Sequence, residues 1–458
     1  MGCRTHPRAS VDGPGSVRLV LSLLRLSARL LLANWPALMV WYLVGVLGNY
    51  VVIEVAGFVG AYTALGGLLL MPLAILARLI AYVAMFLVLR AGMPALEGLA
   101  PSPPRGPERR RAFVDAVLAG ILPFFAFYAA WGFLREDVGA YLARGLEVRA
   151  GLQFGSILTG EEVVTDGTLD EWGFNAVTIG LIVVSFAGRW AWKRYRSRLP
   201  KVLAVAAVYL EAVWIFLSVS LIADAIGWVT GWVDSRQAMV WLGDLRAWVS
   251  SSLGPIAWLW DGVEWFLGEL GGLVLLPIAW LTIAGVIYGQ ALAASATPRL
   301  RGALPERVKS RYLSLPDRLR RRLKDFGAEL TSRFRPIWGA LVLMWRAGPV
   351  LIAGYVLLYT VVLAAESGLG VLLTRLIGPQ DFFTFWVVFV GPIFLGVSIL
   401  IEPMRVVLVA AGYDRSLARL APVNTPMTTP VLETTVETVV ETVVGGSSVT
   451  ETEPQEPR

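Results

Sequence analysis

Long apolar stretches alternate with short polar or charged connectors along nearly the whole chain. A helix needs about 20 mostly apolar residues to cross the hydrocarbon of a bilayer. On that measure the pattern predicts spans at 36–56, 63–89, 112–134, 174–190, 202–223, 270–294, 348–365 and 383–404, the fourth being the shortest. The expected fold is all-α: a polytopic transmembrane helical bundle of about eight spans built as repeated hairpins, with in-plane amphipathic helices beside it.

The same pattern divides the chain. Residues 1–35 form a tail and an interfacial amphipathic helix, and 36–97 the first hairpin. Residues 98–201 hold a second hairpin with an acidic loop at one end and basic loops at the other. A third hairpin with Trp-rich interfacial helices occupies 202–298, a basic amphipathic helix 299–336, and a fourth hairpin 337–421. The acidic Thr/Val/Pro-rich tail, 422–458, buries too little apolar surface to order itself. Thr425 and Thr429 there each precede proline, a weak phosphorylation signal beside the plain reading of a solvated tail.

Within 16–34, Arg18, Ser22, Arg25 and Arg29 recur on one helical face, and Leu19, Leu23, Leu26 and Leu30 on another. This predicts a helix in the headgroup plane. A signal peptide fits poorly, because arginines interrupt the apolar run and no small-residue cleavage site follows. In 224–269, Trp228, Trp232, Trp241, Trp248, Trp258, Trp260 and Trp265 crowd one connector. Indole rings favour the membrane–water boundary, so in-plane helices are expected, with an aromatic lipid or glycan groove as the sharper alternative. In 299–335, Leu319, Leu323, Phe326, Leu330 and Phe334 share a helical repeat flanked by Arg318, Arg320, Arg321, Arg322 and Lys324. That helix is expected to meet anionic lipid headgroups, or simply to fix topology.

Composition sharpens the class. Hydrophobic residues are 56% of 458, charged residues 16%, and mean hydropathy is +0.64. A soluble chain carries about 25% charged residues, so the surplus apolar surface belongs against lipid. Net charge is +6, but its placement matters more. The segments 105–111, 189–201 and 299–335 are basic, whereas the connector 48–62 has only Glu54, and 135–172 is net acidic. Basic and acidic connectors alternate, which by the positive-inside rule predicts a cell-membrane protein with both termini cytoplasmic. Thr168 with Glu171 resembles a capping box at the entry to the fourth span.

Residues 65–76 (LGGLLLMPLAIL) and 270–281 (LGGLVLLPIAWL) match, with Pro72 and Pro277 in register. A weaker third copy includes Pro392. The entries Trp35-Pro36, Leu199-Pro200 and Gly348-Pro349 also match, so a hairpin used three times is expected, with similarly bent returning helices. Asn34-Trp35-Pro36 together with Pro72 resembles the membrane domain attached to some glycerophosphodiester phosphodiesterases. The resemblance covers the first hairpin best and implies architecture only, since no phosphodiesterase catalytic domain is present.

Candidate chemistry is sparse. Cys3 and His6 are the only residues of their types, which argues against a zinc site or a membrane-embedded histidine base. HExxH, Walker, CxxC and GxSxG patterns are absent, and no cofactor is implied. Polar residues at membrane depth are the default functional candidates. Arg78 lies about 18 Å from Arg90 along a helix, near mid-bilayer, and Glu211 is near the middle of its span. Opposite signs at similar depth predict that the two pair, as a structural ion pair or as a proton or ion relay. Glu402 and Arg405, beside Pro403, are expected to form a local pair near the cytoplasmic surface. Gly285 and Gly289 form a GxxxG spacing that admits a close helix neighbour. The acidic pairs Glu136-Asp137, Glu161-Glu162 and Asp170-Glu171 are outer-loop candidates for a divalent cation. A non-enzymatic scaffold or accessory subunit holding proteins through its tail is the first reading. A transporter or permease subunit is the second, and an enzyme of lipid-linked substrates the third. Lipid is the expected partner, and nucleic acid is not.

Overall fold

A computed structural model describes residues 13–160, 176–195, 203–252, 271–295 and 348–420, with a few isolated positions between 258 and 269. The capping box at 168–171, the basic helix of 299–336, the tail 422–458, Cys3, His6, Glu161, Glu162, Asp170, Glu171 and Trp260 lie outside the described residues. So does the Leu199-Pro200 entry.

The described residues form a bundle of helices. These are α1 (Gly13–Tyr62), α2 (Ala64–Arg90), α3 (Pro94–Leu99), α4 (Gly106–Ala130), α5 (Phe133–Thr159), α6 (Ala176–Tyr195), α7 (Leu203–Asp234) and α8 (Gln237–Ser252). They continue with α9 (Leu276–Ser295), α10 (Pro349–Ile377) and α11 (Val387–Leu420). A π-helical turn, Gly271–Leu275, leads into α9, and another, Phe382–Trp386, leads into α11. The protein is a polytopic, all-α transmembrane bundle. Seven described helices are long and apolar enough to cross a membrane, and α6 adds a shorter apolar stretch, Val177–Trp192. Each of the eight predicted spans corresponds to one of these helices.

Three elements depart from the sequence expectation. The first is α1, which is a single helix of 50 residues running through Pro36. No separate in-plane helix precedes the first span. Leu23, Leu26 and Leu30 are buried against protein: Leu30 touches Gly92, Val20 packs on Gly354 of α10, and the Ser22 carbonyl accepts from Arg415 of α11. At about 1.5 Å per residue α1 is about 75 Å long, against about 30 Å of hydrocarbon.

The second is α5, which turns the supposed acidic connector into a helix packed along α1. Tyr128, near the end of α4, lies against Arg78, halfway along α2. The chain breaks there, at Trp131 and Gly132. Gly132 takes φ +84°, a conformation costly for any residue with a Cβ, and α5 starts immediately after. From that depth α5 climbs beside α1. Asp137 bonds Asn49, Arg144 pairs with Glu54, and the Arg149 guanidinium donates to the Ala61 carbonyl. Non-helical backbone inside a membrane bundle is tolerated only where protein or a wet cavity surrounds it, and both conditions hold here.

The third is the packing of small residues. A Cβ on Gly45 would stand 2.4 Å from the Ala81 Cβ, and one on Gly48 3.1 Å from the Ala77 Cβ, so α1 and α2 meet across Gly45, Gly48, Ala77 and Ala81. Gly285 is buried, but among the described residues nothing lies within 4 Å of a Cβ built on Gly289. The GxxxG spacing therefore brings no described neighbour close at Gly289.

Pro72 and Pro277 are buried and Pro392 is exposed. Pro72 has no N–H, which loosens the carbonyls one turn back, and the Tyr209 hydroxyl donates to one of them, Leu69, at 2.8 Å. Tyr355 donates to the Pro277 carbonyl at 2.9 Å and Tyr288 to the Phe86 carbonyl at 2.7 Å, so buried tyrosines tie the bundle together at backbone oxygens. Trp228, Trp232, Trp241, Trp248, Trp258 and Trp265 are all exposed, as residues that meet the membrane boundary must be.

Candidate functional site

At the level of the α4–α5 break the bundle opens into a cavity of about 400 Å³. Its wall from α1 consists of Tyr42, Gly45 and Val46, and α2 adds Arg78, Ala81, Tyr82 and Met85. The two sides of the break supply Phe124, Phe127, Tyr128, Phe133 and Glu136. Leu276 and Trp280 of α9 stand across from them, and Leu363, Glu366, Leu395, Ser398, Glu402 and Arg405 of α10 and α11 close the far side.

Two charged networks face this space. In the first, Asp137 is buried and accepts from the Tyr128 hydroxyl at 2.7 Å and from Asn49 Nδ2 at 3.0 Å. The Arg78 guanidinium lies 3.7 Å from its other oxygen, donates to Asn49 Oδ1 at 3.1 Å and sits over the Tyr128 ring. Arg78 keeps 30% of its side-chain surface, and its buried Nε has no hydrogen-bond partner. In the second, Arg405 bonds Glu402 at 2.6 Å and reaches Glu366 of α10 with its other terminal nitrogen, under the Tyr359 ring. Glu366 remains 31% exposed, while Glu402 and Arg405 are nearly enclosed.

The expected Arg78–Glu211 pair does not form. Arg78 pairs with Asp137, and Glu211 pairs with Arg189 between α7 and α6, beside Trp214. Continuing α7 to Asp234 puts Glu211 in its first third, level with the last turns of α6 rather than at mid-helix. Arg189, expected in a basic connector, is therefore part of a helix pair. The Glu402–Arg405 pair is present as expected, but α11 extends to Leu420, which places the pair near mid-helix and not at its end. Glu136 and Asp137 do not form an exposed cation site: Asp137 is consumed by the first network and Glu136 lines the cavity. Among the described residues no group of three or more His, Cys, Asp or Glu is placed to hold a metal ion.

Asp137, Glu366, Asn49 and the aromatic walls went unrecognised in the sequence. Glu366 follows immediately on the predicted 348–365 span and looks like its polar end. The available clue for Asp137 was the i, i+4, i+7 spacing of Asp137, Tyr141 and Arg144, which is a helical face and not a loop.

Known proteins add no name. Comparison with protein-family models, with curated proteins and with solved structures finds no match. The geometry therefore carries the functional argument alone.

The lining residues include two cations, Arg78 and Arg405, and three acids, Glu136, Glu366 and Glu402, so the wall is formally −1. Asp137 behind Arg78 makes the surroundings −2. Seven aromatic rings line the same space: Tyr42, Tyr82, Phe124, Phe127, Tyr128, Phe133 and Trp280. Acidic excess with aromatic faces favours a cation, or a zwitterion whose carboxylate meets Arg78.

Proposed function

We propose that this integral membrane protein is a transporter or permease subunit whose central cavity binds a small cationic or zwitterionic solute. The observation that carries this reading is the charged cavity at the α4–α5 break. Ionisable residues at membrane depth are costly, and they recur where solutes or ions pass. Discontinuous helices whose ends meet at mid-membrane form the binding sites of many carriers. The scaffold reading rested on the tail, whereas the charged cavity gives the bundle itself a chemical task. The basic 105–111 and 189–201 segments support an orientation with the Arg90 end, and both termini, on the cytoplasmic side of the cell membrane.

Ser398 lines the cavity, and Cys3 is the only native thiol. In a Cys3→Ser background, Ser398→Cys should react with a cationic methanethiosulfonate reagent several-fold faster than with an anionic one of similar size. Failure of both reagents, in membranes open to them from both sides, would show a sealed, structural cavity. Faster reaction with the anion would reverse the proposed solute charge.

A further inference from the structure

A second hollow, of about 720 Å³, lies between α1, α2 and α4 at the Arg90 end. Its walls are mostly apolar: Trp41 from α1, Ala84, Leu87 and Val88 from α2, and Ala112 and Phe113 from α4. Its remaining lining is basic, from Arg90, Arg109 and Arg110, with no acid among the lining residues. The nearest acids in the chain are occupied: Glu97 accepts from the Ser102 amide and hydroxyl, and Glu108 pairs with Arg105.

Arg90 is 5% exposed. One terminal nitrogen donates to the Ala100 and Pro101 carbonyls, which fixes the guanidinium, while its buried Nε has no hydrogen-bond partner. Arg109 is steadied by a 2.9 Å bond from its Nε to the Pro103 carbonyl. Neither Arg109 nor Arg110 forms an ion pair among the described residues. A buried arginine held by carbonyls carries its charge without a counter-ion, so the hollow has an electrostatic vacancy of one sign beside an apolar trough.

We propose that this hollow binds one anionic phospholipid, its phosphate among Arg90, Arg109 and Arg110 and an acyl chain along Trp41, Leu87, Val88 and Phe113. Charge complementarity selects the headgroup, and the apolar wall selects a lipid over a free anion. The site is separate from the central cavity and does not depend on the solute proposed there.

The test is native mass spectrometry of the full-length protein in detergent, after delipidation and titration with phosphatidylglycerol or phosphatidylcholine. The wild type should retain a single phosphatidylglycerol adduct at concentrations where phosphatidylcholine leaves none. Arg109→Gln with Arg110→Gln changes surface residues only and should weaken that adduct about thirtyfold, from about 1 kcal/mol for each headgroup-facing charge. Arg375→Gln, at the opposite end of the bundle, should leave it unchanged. Millimolar inorganic phosphate should not displace the lipid. Equal retention of both lipids, an unaltered adduct in the double variant, or displacement by phosphate would each overturn the assignment.

Discussion

Replacing Asp137 with alanine strands Arg78. Asp137 accepts two hydrogen bonds, at 2.7 and 3.0 Å, and offers Arg78 an opposite charge at 3.7 Å, all with its side chain only 5% exposed. Removing one partner of a buried pair costs about 3–5 kcal/mol. Arg78 keeps 30% of its surface toward the cavity and can recruit water there, which places the expected loss at the low end, about 3 kcal/mol. Arg78→Met should cost more, about 4 kcal/mol, because the carboxylate left behind is the less exposed partner. The double variant removes both charges and strands only the neutral Asn49 and Tyr128 groups, so it should be more stable than either single change, with a coupling of at least about 2 kcal/mol. Thermal unfolding of detergent-solubilised protein should show Asp137→Ala lowering Tm on the order of 5 °C, with Arg78→Met added to it recovering part of the loss. A single variant within about 1 °C of wild type, or a double variant as low as the sum of the two, would refute the pairing.

The other expectations can be checked on the same preparation. Arg78→Met and Glu211→Gln should be additive within about 0.5 kcal/mol in Tm-derived stability, because the two residues belong to different networks. Arg189→Met should destabilise the α6–α7 pair, and Glu211→Gln should rescue it by removing the uncompensated carboxylate, as read by protease sensitivity of the 195–203 connection. Gly45→Ala should destabilise by about 1–3 kcal/mol, since its Cβ would stand 2.4 Å from that of Ala81, whereas Gly289→Ala should be neutral or gain up to about 1 kcal/mol from helix propensity. Asp381 accepts from the Thr384 amide at 2.7 Å and hydroxyl at 2.8 Å, and those bonds hold its carboxyl below the usual carboxylate range. Its cap is therefore fully in place above that range and is lost as pH falls through the lowered value. Hydrogen exchange at Thr384 should accelerate at low pH in the wild type and be fast at every pH in Asp381→Ala.

The helices were legible because lipid demands long, nearly unbroken apolar runs, and eight such runs could be counted off the chain. Arg78 was legible for the same reason: a lone cation inside α2 has no excuse in a span. Its partner was not. Asp137 sits just past the end of an apolar run, and a local reading assigns such acids to water. Only the fold reveals that Gly132 turns the chain back along α1 and carries Asp137 to Asn49. Arg189 shows the converse error. Cations flanking a span usually set topology, and nothing local separates that role from a partnership with Glu211 across a helix pair. Pro36 was read as a boundary, yet α1 continues through it, because Leu23, Leu26 and Leu30 gain more by packing on α3, α10 and α11 than by bending away.

The uninterrupted course of α1 makes it a stiff rod with two working surfaces. Its first turns grip the starts and ends of other helices at the Arg90 end, and the same rod further on presents Tyr42, Gly45 and Val46 to the central hollow. Without a hinge between those surfaces, a tilt imposed at Val20 or Ser22 swings the hollow's wall with it. Push on one end, and the other end answers.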